Sequence, residues 1–360
     1  MESLNNSKSR LTGLLFFFCL GVFESQAESC EANGLQVHDH FGGGAFARCS
    51  MTGDGAVKVI IRPENLPINP SPWYAMALES ESKRQLTLLL EYSHSKHRYW
   101  PKFSSDFIHW YPLPTEHVHL SADQRLRADN LDVRLNHYGK SVQGRVLTGL
   151  VSDRHRPKTY IVLLGRAHPP EVTGALAMQQ FVQTLLAKTA LAEKFRQQFA
   201  LLIYPNLNPD GVANGYWRHN AKGHDLNRDW GIFSQPEVET LWRDIERQRR
   251  DGEIAVMLDF HSTRKNIFYI QPDSLPSKYP QFAQHWHRAI QQKGAELTFD
   301  LRPGHSSKRT NAKTFFYKQL QIPAITYEVA DSATPSSIAS SAKLSAQAFM
   351  ELLLKTHCFK

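Results

Sequence analysis

Residues 160–171 read YIVLLGRAHPPE. Tyr160–Leu164 is an unbroken apolar run closed by Gly165, the pattern of a strand buried on both faces. From Val172 to Leu191 the apolar residues Leu176, Phe181, Leu185 and Leu186 recur at spacings that predict a helix. His168 and Glu171 therefore sit on the turn from a central strand into a helix. In open α/β sheets, sites are assembled at that carboxyl end of the strand. Imidazole nitrogen and carboxylate oxygen are zinc donors, and a catalytic zinc takes three protein ligands, so a third ligand must come from elsewhere. Taken alone, HPPE also describes surface polar residues in a Pro-rich turn.

Outward from this stretch the chain alternates strands and helices, which argues an α/β domain with a mixed, mostly parallel sheet flanked by helices. LNHYGKSVQGRVLTGLV reads as a strand pair with Gly turns, and FALLIYPNLNPDG as a strand running into a loop. IAVMLDFHS and AITYEVA are further buried strands. Helices are expected over 235–250, 282–293 and 342–355, and Ser-rich 333–341 reads as a mobile connector. Upstream, residues 28–118 read as an all-β sandwich domain: VKVIIRP, WYAMALES and QLTLLLEY alternate apolar and polar residues between Gly, Pro, Asn and Ser clusters. Residues 112–118, PLPTEHV, read as the linker, and 119–360 as the second domain. Tyr99, Trp100, Phe103, Phe107, Trp110 and Tyr111 form an aromatic-dense edge, suited to packing or to binding glycan or peptide.

The first 27 residues are not read as fold. Lys8 and Arg10 precede an apolar segment, Leu11–Phe23, which is followed by Ser25-Gln26-Ala27. A basic region, a short apolar core and a small-x-Ala site describe a cleaved signal peptide, too short for a comfortable membrane span. The expectation is an exported protein, periplasmic or secreted, without stable membrane insertion after cleavage. Of the cysteines that remain, Cys30 and Cys49 bracket a Gly-rich segment and are placed to form a disulfide in an oxidising compartment, or all three stay free with Cys358. The 360-residue chain carries 42 Lys and Arg against 34 Asp and Glu, a formal net charge of +8. The signal segment removes two acids and two bases, so the balance survives cleavage. A basic exported protein suits acidic substrates or an anionic surface. No nucleic-acid-binding motif accompanies the charge.

IAVMLDFHS repeats the logic of YIVLLGRAH, a buried strand ending in histidine, and makes His261 the natural third ligand. Two histidines and one carboxylate leave a coordination position open, the catalytic rather than the structural pattern. Glu328 in ITYEVAD is a carboxylate on another strand end, poised as a general base. Between them lies NPDGVANGYWRHNAKGHDLNRDWG, irregular and Gly-rich, with Arg218 and Arg228 close together. Guanidinium groups grip carboxylates in bidentate fashion and stabilise oxyanions.

With these motifs together the chain resembles the zinc carboxypeptidases, closest to the branch that includes the cytosolic carboxypeptidases. H-x-x-E stands at His168 and Glu171, and G-[KR]-S-x-x-G-R as GKSVQGR. NPDG, Arg218 and D-L-N-R (Asp225–Arg228) follow in order, then His261 and Glu328. The resemblance runs from about residue 139 to 355, and the β-rich segment with NPSPWYAM resembles the domain preceding catalysis in that branch. It implies one zinc on His168, Glu171 and His261, with Glu328 as base and proton shuttle. It also implies Arg218 at the scissile carbonyl, Asn227 and Arg228 on the terminal carboxylate, and Asp225 orienting His168.

The family's substrate-closing tyrosine has no counterpart between Tyr279 and Tyr317, and His305 stands near its expected place without being assigned the role. Lys313, fifteen residues before Glu328, falls where the resemblance implies the floor of the pocket for the last side chain. There it suits an acidic end, unless it points to solvent from a helix start. The resulting expectation is an exported zinc metallocarboxypeptidase that takes the last residue from a peptide or cell-wall peptide, by peptide or isopeptide hydrolysis, with acidic ends preferred. The rivals are a zinc amidoacylase of the aspartoacylase and succinylglutamate-desuccinylase type, a peptidoglycan-trimming carboxypeptidase, and a non-catalytic peptide-binding protein.

Overall fold

Successive residues of the quoted strand serve opposite sides of a sheet. Ile161 and Leu163 lie in one core cluster, and Tyr160, Val162 and Leu164 in another. A strand covered on both faces has no polar alternation to show, which is why it reads as a continuous apolar run. The computed structural model describes residues 29–52, 56–64, 71–80, 88–95, 98, 102–103, 109–112, 119–121, 133–153, 155–250, 252–304 and 308–355. The expected signal peptide, most of the expected linker, His305 and Cys358 lie outside the described residues. So do Tyr99, Trp100 and Phe107.

The N-terminal region is strand-rich and built of small sheets. β1 (Ser29–Ala32), β2 (Leu35–His38) and β5 (Ala77–Ser80) form one sheet; β3 (Arg48–Met51), β4 (Val57–Ile61) and β6 (Leu88–Tyr92) form a second. Leu35 and Val37 from the first meet Val57, Val59 and Ile61 from the second in one small core around Phe46. A Cys30–Cys49 disulfide joins β1 to β3. β7 (Lys102–Phe103), β8 (His109–Pro112) and β9 (His119–Ser121) pair as a third sheet, so His119–Ser121, just past the expected linker, joins the upstream strands.

The second region holds an eight-stranded mixed sheet in the order β10-β11-β13-β12-β14-β17-β15-β16. Its strands are β10 (Arg134–Lys140), β11 (Val146–Ser152), β12 (Thr159–Gly165), β13 (Phe199–Tyr204), β14 (Glu253–Thr263), β15 (Ile267–Ile270), β16 (Asp300–Pro303) and β17 (Ala324–Ala330). Four of the seven pairings are parallel, and three of them are the contiguous centre β13-β12-β14-β17. Antiparallel pairing is confined to the flanks. One face is covered by α1 (Val172–Leu185), α2 (Ala190–Gln198), α5 (Phe282–Gln292) and α7 (Pro335–Lys355). The other is covered by α4 (Pro236–Arg249) and α6 (Ala312–Leu320), with the short α3 (Pro209–Ala213) beyond β13.

Two expectations are corrected. The helix expected over 172–191 stops at Leu185, because Thr189 caps a new helix by accepting from the Ala192 N–H. Arg196 of that second helix donates to the Leu185 carbonyl at 2.7 Å, a cation at the C-terminus of the first. The Ser-rich connector is helical: Thr334 accepts from the Ser337 N–H, Pro335 opens the helix, and Ser337, Ser341 and Ser345 are buried. Their small side chains face the core, and Ser341 Oγ accepts the Leu297 N–H.

Candidate active site

β12, β14 and β17 are parallel, so their carboxyl ends lie together on one edge of the sheet. Past the end of β12, Arg166 adopts a left-handed φ of 54° and swings the chain into His168 and Glu171. Glu171 is the residue at which α1 begins. The first turn of α1 presses onto β14: a Cβ on Gly174 would lie 2.3 Å from the His261 carbonyl oxygen. Ser262 Oγ receives both the Gly174 N–H and the Thr173 hydroxyl at 2.8 Å. His261 and Glu328 face each other in register across β14 and β17.

The structure brings His168, Glu171 and His261 together, all buried, with ligand atoms within 4.8 Å of one another. Glu171 stands between the rings, Oε1 lying 2.8 Å from His168 Nδ1 and Oε2 lying 2.6 Å from His261 Nδ1. Each far nitrogen has its own carboxylate. His168 Nε2 is 3.1 Å from Asp225 Oδ1, and His261 Nε2 is 2.8 Å from Asp259 Oδ2. Carboxylates behind ligand histidines fix tautomer and ring orientation and raise the basicity of the ligating nitrogen. Burial alone would raise the Glu171 carboxyl; the charges and hydrogen bonds of the two histidines outweigh it and hold it below the ordinary range. Three carboxylates around two imidazoles, all withdrawn from water, make an environment that favours a cation. The donor set of two imidazoles and one carboxylate fits zinc.

Glu328 is different. Burial pushes its carboxyl up to about 7, opposed by the His261 charge and helped by the Glu171 charge. Its Oε2 is buried with no hydrogen-bond partner among the described residues. A carboxylate held near neutrality and not locked by donors is free to exchange a proton.

Asp225 ties the site together. Its Oδ1 accepts the Asn227 N–H at 2.8 Å while facing His168, and its Oδ2 accepts Arg218 Nε at 2.7 Å. Asn227 is buried; its Oδ1 accepts the Ala312 N–H at 3.0 Å, and its Nδ2 lies 3.3 Å from His261 Nε2. Arg228 is exposed and donates from Nη1 to the Asn227 carbonyl, while Thr310 Oγ1 donates to the Arg228 carbonyl. The start of α6 is thereby laid along the Asn227–Arg228 turn. Lys313 stands in that first turn, buried rather than turned to solvent, with Nζ donating to the Ile270 carbonyl at 3.0 Å and to the Gly304 carbonyl. Burial, with the Arg309 charge, pushes its ammonium down to about 8. Tyr279 and Tyr317 are both buried, and Tyr317 donates to the Pro276 carbonyl.

Residues 124–347 match the zinc carboxypeptidase family. The chain belongs to that family. Over 127 residues it is 32% identical to cytosolic carboxypeptidase 2 of Homo sapiens, a match covering 34% of this chain and 14% of that protein. Over 121 residues it is 42% identical to cytosolic carboxypeptidase 1 of Xenopus laevis, covering 32% of this chain and 10% of that one. The chain thus spans a small part of these relatives. In fold it is similar to a metallo-carboxypeptidase from Burkholderia cenocepacia (TM-score 0.68, 17% identity, 89% of this chain and 98% of that one). It is also similar to a metallo-carboxypeptidase from Pseudomonas aeruginosa in complex with (2-guanidinoethylmercapto)succinic acid (TM-score 0.67, 20% identity, 90% and 100%).

The zinc carboxypeptidase motifs now have physical content. The GKSVQGR turn is bound to NPDG through Asp210, which is fully buried and accepts Ser141 Oγ, the Gln143 N–H and Arg145 Nη1 at 2.7–2.8 Å. Asn208 caps α3 and donates to the His219 carbonyl at 2.9 Å, linking that turn to the arginine loop. Sequence reasoning missed Asp259. The signal was present: Asp259 and His261 are two apart on a strand and so share a face.

Proposed function

We propose that the chain is a zinc metallocarboxypeptidase that removes the last residue of a peptide. The observation that carries this is the convergence of His168, Glu171 and His261 beside the near-neutral carboxyl of Glu328, whose buried Oε2 has no hydrogen-bond partner among the described residues. One zinc would be held by His168, Glu171 and His261; when bound it supplies Lewis acidity, acidifying water and polarising a carbonyl oxygen. Asp225 and Asp259 hold the two imidazoles in orientation. Arg228, exposed at the turn, takes the substrate's terminal carboxylate, with the Asn227 amide beside it. Arg218, steadied by Asp225, faces the charge that develops on the scissile carbonyl oxygen. Glu328 accepts a proton from the attacking water and returns it to the leaving amine.

Acidic last residues are the proposed preference. Lys313 supports it: a buried ammonium that donates to two neutral backbone carbonyls. An acidic side chain supplies the opposite charge. Export is part of the same reading, supported by the N-terminal sequence pattern and by the Cys30–Cys49 bond, which suits an oxidising compartment. No described helix is long and apolar enough to cross a membrane. The test is a panel of peptides that differ only in the last residue, cell-wall peptides included, alongside N-acyl amino acids. Fastest release of Glu, Asp or a cell-wall residue bearing a free carboxylate is expected. Preference for Phe or Lys ends contradicts the Lys313 assignment, and deacylation without peptide trimming points to an amidoacylase instead.

A further inference from the structure

The arginine loop is held from outside its own domain. Glu64, in the N-terminal β-rich region, has a fully buried side chain. Its Oε1 accepts the backbone N–H of Arg218 at 2.7 Å and also the N–H of His219, while Oε2 lies 3.5 Å from His219 Nδ1. Two irregular-loop amides are thereby satisfied by one charged acceptor, the stronger class of hydrogen bond. The same region also grips the segment that leads into the loop. The Gly43 N–H donates to the Ala213 carbonyl at 3.0 Å. Gly215, at φ 65°, passes so close that a Cβ would sit 2.7 Å from the Gly43 carbonyl oxygen. The Arg98 guanidinium lies 4.6 Å from the centre of the Trp217 ring and donates to Asp331 at 3.0 Å, three residues beyond Glu328.

We propose that Glu64 is a positioning residue for Arg218, so that the N-terminal β region is an internal part of the active site rather than an appended module. The side chain of Arg218 is anchored at one end by Asp225; Glu64 fixes the other end, the backbone from which it projects. A guanidinium aimed at a developing oxyanion loses its effect when displaced by about 1 Å, a shift that costs on the order of a hundredfold. Arg98 extends the clamp to the strand end that carries Glu328. The inference rests on the role given to Arg218 above.

The test uses the full zinc-loaded chain. Glu64→Ala is expected to lower kcat by about ten- to a hundredfold, with KM and zinc content little changed. Glu64→Gln keeps the Oε1 acceptor and should retain most activity. Glu64→Asp keeps the charge but not the reach, folds if the alanine variant does not, and should lose kcat. In a double-mutant cycle, Glu64→Ala should cost nothing further in an Arg218→Ala background. Hydrogen exchange should be faster at the Arg218 and His219 amides in Glu64→Ala and Glu64→Asp. Unchanged kcat, a fully additive double mutant or unchanged amide protection each overturns the proposal. A wild type that releases no peptide end, while its variants still show loosened amides, overturns the function proposed above and leaves the Glu64 clamp standing.

Discussion

Glu328 and Lys313 are both ionisable groups placed where water is scarce, and each carries a prediction. Glu328→Gln keeps the shape of the site and removes the proton acceptor. Metal content should stay at one zinc per chain while kcat falls by about 100- to 10,000-fold; near-normal turnover would move the base elsewhere. Burial, opposed by the histidine charges and helped by those of Glu171 and Asp259, places the Glu328 carboxyl near 7, and a cation on the neighbouring ligands favours its ionised form. Only the ionised form accepts a proton, so kcat/KM should rise with pH along an acid limb lying between the ordinary carboxylate range and about 7. A limb above that, measured in the zinc-loaded enzyme, contradicts the assignment. Lys313→Asp should weaken release of acidic ends and strengthen release of basic ones, read from the end-residue panel. At this scale His168, Glu171, His261, Glu328 and Arg218 stood out in the sequence because each lies at or just past a strand end or punctuates a loop. Asp259 was not picked out, since its aspartate sits inside an apolar run. Glu64 had no local signal at all: its partners are more than 150 positions away in the chain.

Among elements, the junction of α1 with β14 governs the site most directly. Gly174 allows the helix to lie against the backbone of His261, and a methyl group there meets a carbonyl oxygen, not a movable side chain. Gly174→Ala should destabilise the fold by about 1–3 kcal/mol and lower zinc affinity by displacing His261. Thermal unfolding with metal titration reads both, and wild-type zinc affinity would show that the junction does not set the ligand. The central strands were plain in the sequence because continuous apolar runs admit few other readings. The break at Thr189 was hidden because apolar periodicity persists across it, and a single cap overrides that pattern. The Ser-rich start of α7 misled for the opposite reason: Ser337, Ser341 and Ser345 are polar by composition yet buried and small enough for close helix packing. β15 and β16 are short edge-side strands whose pairing is set by the sheet rather than by their own pattern.

For the whole molecule, the central question is how a β-rich region and an α/β domain share one chemistry. The Cys30–Cys49 bond closes a loop of sequence separation 19 in the former. By loop entropy it contributes about 3 kcal/mol, so a reductant should lower the denaturation midpoint of the wild type and leave Cys49→Ser unaffected. Identical midpoints with and without reductant would contradict it. The passage from a strand-rich N-terminal region to a mixed sheet with flanking helices was legible from the change in hydrophobic period. The clamp between them was not, because contacts between distant segments leave no periodic trace. The proposed chemistry requires that this site hydrolyse the bond next to a free terminal carboxylate. The direct measurement is mass spectrometry of zinc-loaded protein with one peptide ending in Glu, supplied with either a free C-terminal carboxylate or a C-terminal amide. Loss of one residue from the free peptide alone, abolished by Glu328→Gln, is the predicted result; no trimming, or equal trimming of the amide, would contradict it.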